Sequence, residues 1–313
     1  MIATIGLFVL GLVLICLGGD RLVDAAVSIA RRLKIPEIVV GATIVSLGTT
    51  LPEVLVSTTA AFQGSADISV GNALGSIICN TALIAGVTQL IAPAKKVARS
   101  SILWRVILFF SVIVVMMVTG NLTGGFQRPV GVALLLCFVF YAFMNVKYPG
   151  DEEEDEQEEE KKDGSLVKDL VTLAICAALL YVGSKLLVDN GITLAEMLGV
   201  PERVIAVTFI ALGTSLPELV TSLTSIIKGY GNVGLGNIVG ANILNLLLVI
   251  GIPGTVTGIS VSESALRVDA PLCILVMAVL TVPLVIRQKS SRLQGGALLA
   301  IYACYVVSQF VIG

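Results

Sequence analysis

The chain has 313 residues, 56% of them hydrophobic and 13% charged, with a mean hydropathy of +0.98. That balance lies outside the range of soluble domains and inside that of multispan helical membrane proteins. Twenty basic and 22 acidic residues leave a net charge of −2, which offers nothing to nucleic acid, and the absence of histidine excludes imidazole metal centres, histidine proton relays and HExxH proteases.

Long apolar runs, each able to hold a helix of about 20 residues across about 30 Å of hydrocarbon, predict about ten spans. The first five are 2–26, 37–62, 69–91, 101–119 and 128–146. The first run lacks a basic leader and meets its first charge at Asp20, so it reads as a retained span and not a cleaved signal peptide. The second contains Gly48-Thr49-Thr50-Leu51-Pro52-Glu53. Pro52 has no N–H for the carbonyl of Gly48 and disfavours helical geometry at Leu51, which predicts a break with free carbonyls around 46–50. Thr49, Thr50 and Glu53 then share one face. The third span holds GNALGSIICN, in which Asn72, Ser76 and Asn80 form a polar stripe at i, i+4 and i+8. Ten of the 22 acids lie within 151–163, and the stretch GDEEEDEQEEEKKDG reads as a solvated connector. The remaining spans are predicted at 166–188, 202–227, 234–256, 268–286 and 293–311. Cysteines 16, 79, 137, 176, 273 and 304 all sit in apolar segments with no CxxC, as buried small hydrophobes do.

The chain is written twice. TIVSLGTTLPE at 43–53 returns as TFIALGTSLPE at 208–218, an offset of 165 that aligns Gly41–Gly86 with 206–251 at 17 identities in 46 positions. The copy repeats the proline before the acid as Pro217 and Glu218, the hydroxyls as Thr214 and Ser215, and the stripe as Asn237, Ala241 and Asn245. Five spans per copy is an odd number, so the second copy enters the membrane from the opposite side. The expected architecture is all-α and polytopic, with two inverted five-helix repeats over 1–148 and 166–313 joined by an acidic linker at 149–165. With the N-terminus outside, cytoplasmic loops hold fourteen Lys/Arg and external loops only Arg128, Arg203 and Arg267. That imbalance favours the N-out orientation with a cytoplasmic linker.

A glutamate in mid-membrane costs at least about 2.5 kcal/mol and is functional by default. Two in matched positions, each behind a helix break, point to a transport site between the halves. Every candidate ligand atom is an oxygen, which makes a hard-cation site. Two carboxylates balance one Ca²⁺, and Na⁺ competing for the same oxygens is the physical requirement for exchange. Asp24 and Asp189 fall near span ends and read as interfacial. The glycines at 71, 75, 236 and 240 read equally well as close packing or as local breaks.

GTTLPE and GTSLPE, each followed by GN-x-x-G-[SA]-x-I-x-N, resemble the two alpha-repeats of the sodium/calcium exchanger family, of prokaryotic type, within the cation/calcium exchanger superfamily. The resemblance covers the whole chain. It implies four ion sites among spans 2, 3, 7 and 8, with Glu53, Glu218 and the carbonyls of Thr49 and Thr214 binding Ca²⁺. For sodium it implies the two glutamates with Ser46, Thr50, Ser76, Ala211, Thr214 and Ser215, and Asn80 and Asn245 nearby. It further implies that spans 1 and 6 slide to alternate access. Ala241 departs from the serine of close relatives and removes a hydroxyl from an outer sodium site. Asn245 stands where some relatives carry aspartate.

The expected activity is Na⁺/Ca²⁺ antiport, three to one and electrogenic, by a non-enzymatic monomer in the cell membrane, whose partners are lipid and inorganic cations. No cofactor beyond the transported ions is expected. A proton/calcium or potassium-dependent antiporter of the same fold is the alternative: carboxylates about 6 Å apart repel by about 2.8 kcal/mol at an effective dielectric of 20, which leaves a proton as a possible counter-ion. A calcium channel fits less well, because channels are usually built from identical subunits about an axis.

Overall fold

Helix α1 (Ile2–Leu33) runs 32 residues without a break, seven beyond the predicted span. Asp20, Arg21 and Asp24 do not end it, because the helix continues past the apolar run toward polar partners. It stops where Lys34 turns to φ 51° ahead of Pro36. The computed structural model describes residues 2–65, 68–94, 97–149, 165–199 and 213–312. Most of the linker, residues 150–164, lies outside them, as do the start of the predicted span 202–227 and Ala211.

The second predicted span is two helices, α2 (Glu37–Thr49) and α3 (Leu51–Phe62), which meet at a bend of 44°. The break falls where Pro52 occupies the first turn of α3, as the missing N–H requires. Then come α4 (Ile68–Ile91), α5 (Arg99–Thr123), α6 (Arg128–Lys147) and α7 (Leu166–Met197). Helix α7 is again 32 residues and overruns its predicted end. It is followed by α8 (Leu216–Ile227), α9 (Gly231–Val256), α10 (Ala265–Arg287) and α11 (Arg292–Ile312). Among the described residues seven helices are long and apolar enough to cross a membrane, or eight when α2 and α3 count as one span.

The helices sort by burial into a centre and a rim. The apolar windows of α9 and α4 are 94% and 72% buried, those of α1 and α6 only 22%. The rim helices show rows of exposed Leu, Ile, Val and Phe, among them Leu12, Leu17, Leu136 and Phe140, as a lipid-facing surface must. Helices α1 and α7 form a pair of their own. They touch at Gly11 and Gly183, where a Cβ on Gly11 would fall 2.7 Å from the Gly183 carbonyl oxygen. At one end of the pair Asp169 binds Ser28 Oγ (2.8 Å) and Arg32 Nε (3.6 Å). At the end of α8, Lys228 Nζ reaches Asp20 (2.7 Å) and Asp24 (2.8 Å) of α1. Asp24, inside α1, is therefore the ion-pair partner of a lysine at the end of α8, and Asp189 is exposed.

Short strands β1 (Gly125–Phe126) and β2 (Ile259–Ser260) pair antiparallel, Gly125 opposite Ser260 and Phe126 opposite Ile259. They join the α5–α6 turn to the α9–α10 turn and so tie the two halves together at one end.

The sequence repeat has a counterpart in local structure. Helices α3 and α8 are each 12 residues at the 165-residue offset, and they end at Gly64 and Gly229 with φ of 83° and 84°. Those left-handed positions favour glycine, which is what both copies carry.

Candidate ion site

Each copy delivers its acid in the same way. Thr50 (φ −82°, ψ −1°) and Ser215 (φ −87°, ψ 4°) cap the following helices, Pro52 and Pro217 take the first turn, and Glu53 and Glu218 sit in that turn. A carboxylate there faces unsatisfied backbone N–H groups and the positive end of the helix dipole, which offsets part of its burial cost. Both glutamates are fully buried.

The two acids meet at the interface of the copies: Thr50, three residues before Glu53, reaches Glu218 Oε1. Helix α9 crosses α2 at backbone contact, and that crossing brings the copies together. A Cβ on Gly236 would lie 2.1 Å from the Ile38 carbonyl oxygen, and one on Gly240 would lie 2.5 Å from that of Ala42. These glycines therefore serve close helix approach. The residues matching Ile38 and Ala42 in the second copy, 203 and 207, lie outside the described residues.

The threonine hydroxyls cross over between copies, whereas Ser76 serves the acid of its own copy. Thr214 and Ser76 face Glu53, while Thr49 and Thr50 face Glu218. Thr50 Oγ1 donates to Glu218 Oε1 at 3.4 Å, a long contact. This corrects the expectation that Thr49 and Thr50 line up with the acid of their own copy. The break at residue 50 turns α3 away from α2, so hydroxyls before the break point across the interface.

The surrounding oxygens are under-used. Both oxygens of Glu53, Oε2 of Glu218, Ser215 Oγ and the side-chain amide atoms of Asn80 and Asn245 are buried without a hydrogen-bond partner among the described residues. Buried polar atoms are rarely left so. Asn80 and Asn245 both lie in π-helical stretches, Cys79–Ala85 and Asn245–Val249, a local widening that frequently marks functional positions. Ser46 is buried and donates to the Thr43 carbonyl at 3.1 Å, which leaves its lone pairs free. Among the described residues no cluster of three or more acidic, cysteine or histidine side chains forms. A cation held here takes two carboxylates and neutral oxygens, the donor set of a hard cation.

Thus ten of the eleven predicted site residues, Ser46, Thr49, Thr50, Glu53, Ser76, Asn80, Thr214, Ser215, Glu218 and Asn245, are described. Thr49, Thr50, Glu53, Ser76, Thr214 and Glu218 come together about the carboxylates; Ala211 lies outside the described residues. Two residues the sequence reading left out of the site support it. Asn237 Oδ1 accepts from Thr49 Oγ1 at 3.0 Å. Asn72 Nδ2 donates to the Glu53 carbonyl (3.2 Å) and to Ser57 Oγ (2.9 Å), which pins α4 to the start of α3. Their signal was available: Asn72/Asn237 and Ser57/Ser222 are identical in the two copies.

A family model described as sodium/calcium exchanger protein matches residues 3–147 and 168–311, nearly the whole chain and both glutamates. The chain belongs to the sodium/calcium exchanger protein family. Within that family it is 31% identical to the sodium/calcium exchanger MaX1 of Methanosarcina acetivorans over 98% of both chains. It is 34% identical to the inner membrane protein YrbG of Escherichia coli over 88% of this chain and 87% of that one. The fold matches a solved structure of the sodium-calcium exchanger NCX_Mj soaked with Na⁺ and Sr²⁺, with a TM-score of 0.83, 32% identity and coverage of 98% and 99% of the two chains. Members of this exchanger family are multi-pass membrane antiporters and not enzymes, and this chain is a cation/Ca²⁺ exchanger.

Proposed function

We propose that this exchanger couples Na⁺ entry to Ca²⁺ extrusion, with three Na⁺ per Ca²⁺ and one net charge moved per cycle. One observation carries the reading: two fully buried glutamates, one from each copy, lie at the interface of the copies with their oxygens largely unpartnered and with hydroxyls of both copies around them, Thr50 of the first copy reaching Glu218 of the second. Their summed charge of −2 neutralises one Ca²⁺. The same carboxylates with Thr49, Thr50, Ser76, Thr214 and Ser215 hold Na⁺ in its place, and Ser46, Asn80, Asn245 and Ala211 complete the set. Because the ions share ligands, occupancy by one excludes the other, and the protein crosses between its access states only when the carboxylates are neutralised.

In this reading ten spans form two inverted halves, 1–148 and 166–313, with the N-terminus outside and the linker 149–165 in the cytoplasm. The unit that works is the monomer. Support comes from the odd span number per copy and the fourteen-to-three distribution of loop charge.

The test is calcium uptake into proteoliposomes against an outward gradient of Na⁺, K⁺ or H⁺ in turn. Sodium alone should drive accumulation. Uptake driven by protons, or only with potassium present, would replace sodium as the coupling ion while leaving the site in place. Downhill leakage with no trans acceleration by any cation would mean a channel.

A further inference from the structure

Arg105 is the one arginine placed in the interior by this fold among the described residues, 1% exposed within α5. Nothing in the exchange reading uses it. A buried membrane charge is expensive and normally has a task. Its partners among the described residues are neutral: Nε and Nη2 donate to Asn145 Oδ1 at 3.0 and 2.5 Å, and Nη1 donates to the Ser101 carbonyl. The guanidinium also stacks 4.5 Å over the Trp104 ring.

The fixed Asn145 passes the restraint on. Its Nδ2 donates to the Tyr141 carbonyl at 2.7 Å, and Trp104 packs on the Tyr141 ring with centroids 5.7 Å apart. Tyr141, 2% exposed, then donates its hydroxyl to the carbonyl of Ala42. Ala42 lies inside the π-helical stretch Gly41–Val45 of α2, directly before Ser46. Thr43, in the same stretch, donates to Val39 (2.7 Å), and Ser46 back-bonds to Thr43 (3.1 Å). A Cβ on Gly240 would touch both the Ala42 oxygen and Ser46 Oγ, at 2.5 and 2.6 Å, so this carbonyl and this hydroxyl share one wall with α9.

We infer that Tyr141, held by Arg105 and Asn145, is a positioning residue that sets the widened turn of α2 and thereby aims Ser46 at the sodium side of the ion site. The inference rests on the sodium/calcium reading above. It predicts an effect confined to sodium, because Ser46 belongs to the sodium set and the Ca²⁺ set needs only the glutamates and the Thr49 and Thr214 carbonyls.

The experiment uses the full chain with Tyr141→Phe, which deletes one oxygen and keeps the ring. Thermal unfolding in detergent is titrated separately with NaCl and with CaCl₂, each ion stabilising the state it binds. Loss of one hydrogen bond corresponds to about a fivefold change in affinity. The half-saturating Na⁺ should rise by about that factor while the Ca²⁺ midpoint moves less than twofold. Asn145→Ala loosens the same brace one step away and should shift sodium in the same direction, which keeps the test open should Tyr141→Phe fail to fold. The control is Tyr148→Phe, at an exposed position. Unchanged sodium titrations, or equal shifts for both ions, overturn the inference, as does a lower melting temperature with unmoved midpoints. If the wild-type protein binds both ions yet sodium drives no calcium uptake, the coupling reading falls, and the titrations still judge the brace.

Discussion

Thr50 and Glu218, 168 residues apart in the chain, meet across the interface of the two copies, Thr50 Oγ1 donating to Glu218 Oε1 at 3.4 Å. A hydroxyl of one copy thus reaches the acid of the other, and in the proposed site neither copy suffices alone. A hydrogen bond to a charged group contributes about 1.5–3 kcal/mol, and this long one belongs at the low end. Thr50→Ala should weaken ion binding about tenfold with little change in stability. Titration of the purified variant with Na⁺ and Ca²⁺ measures it; unchanged midpoints would make the contact incidental.

Glu53→Gln and Glu218→Gln should each reduce calcium exchange to background. With one carboxylate gone, a bound Ca²⁺ retains a net positive charge in a buried site, a penalty of several kcal/mol or at least about 100-fold in binding. The neutral amide adds no burial cost, so the variants should remain folded. Near wild-type uptake in either one would remove these residues from the transport site.

Gly240→Ala places a methyl 2.5 Å from the Ala42 oxygen and 2.6 Å from Ser46 Oγ, where backbone must shift. Overpacking of this kind costs about 1–3 kcal/mol. A melting temperature lowered by several degrees is the expected result. Gly6→Ala, where a Cβ meets nothing within 4 Å among the described residues, should leave the melting temperature unchanged or slightly raised.

Ala241→Ser restores a hydroxyl beside Gly240 on the buried face of α9. It should raise apparent sodium affinity or cooperativity in exchange assays. No change in the sodium dependence would mean that the outer site is completed by other oxygens or is not formed.

The proposed three-to-one stoichiometry makes exchange electrogenic, and the energetics favour it. Assume a calcium gradient of about 10⁴, a sodium gradient of about ten and about 100 mV, inside negative. Moving Ca²⁺ up its concentration gradient costs about 5.6 kcal/mol at about 1.4 per decade. Two Na⁺ return about 2.8 with no net charge, and that cycle stalls. Three return about 4.2, and the net inward charge adds about 2.3, for a total of about 6.5. Sodium-loaded vesicles clamped inside-positive with K⁺ and valinomycin should therefore take up calcium faster, since each turnover removes one net positive charge. A flux indifferent to the clamp points to a neutral cycle.

The local chemistry of this protein was legible in its sequence. Pro52 forecast the break between α2 and α3 because a missing N–H acts on its own turn, wherever the helix lies, and Pro217 takes the same place in the first turn of α8. The matched glutamates stood out because a charge in an apolar run is costly in any packing. The ends of α1 and α7 lie beyond the apolar runs, because hydropathy marks the apolar run and not the helix; α1 continues past residue 26 through Ser28 and Arg32, whose partner is Asp169 of α7. Tertiary structure alone decided which oxygens share a site. The sequence places Thr50 at the break between α2 and α3, but the close crossing of α2 and α9 at Gly236 and Gly240 is what brings it against Glu218. The same holds for Asn237 on Thr49 and for the reach from Arg105 through Tyr141 to Ala42. These contacts join residues far apart in the chain, and their distances depend on how the helices cross, a quantity that no pattern along one helix contains.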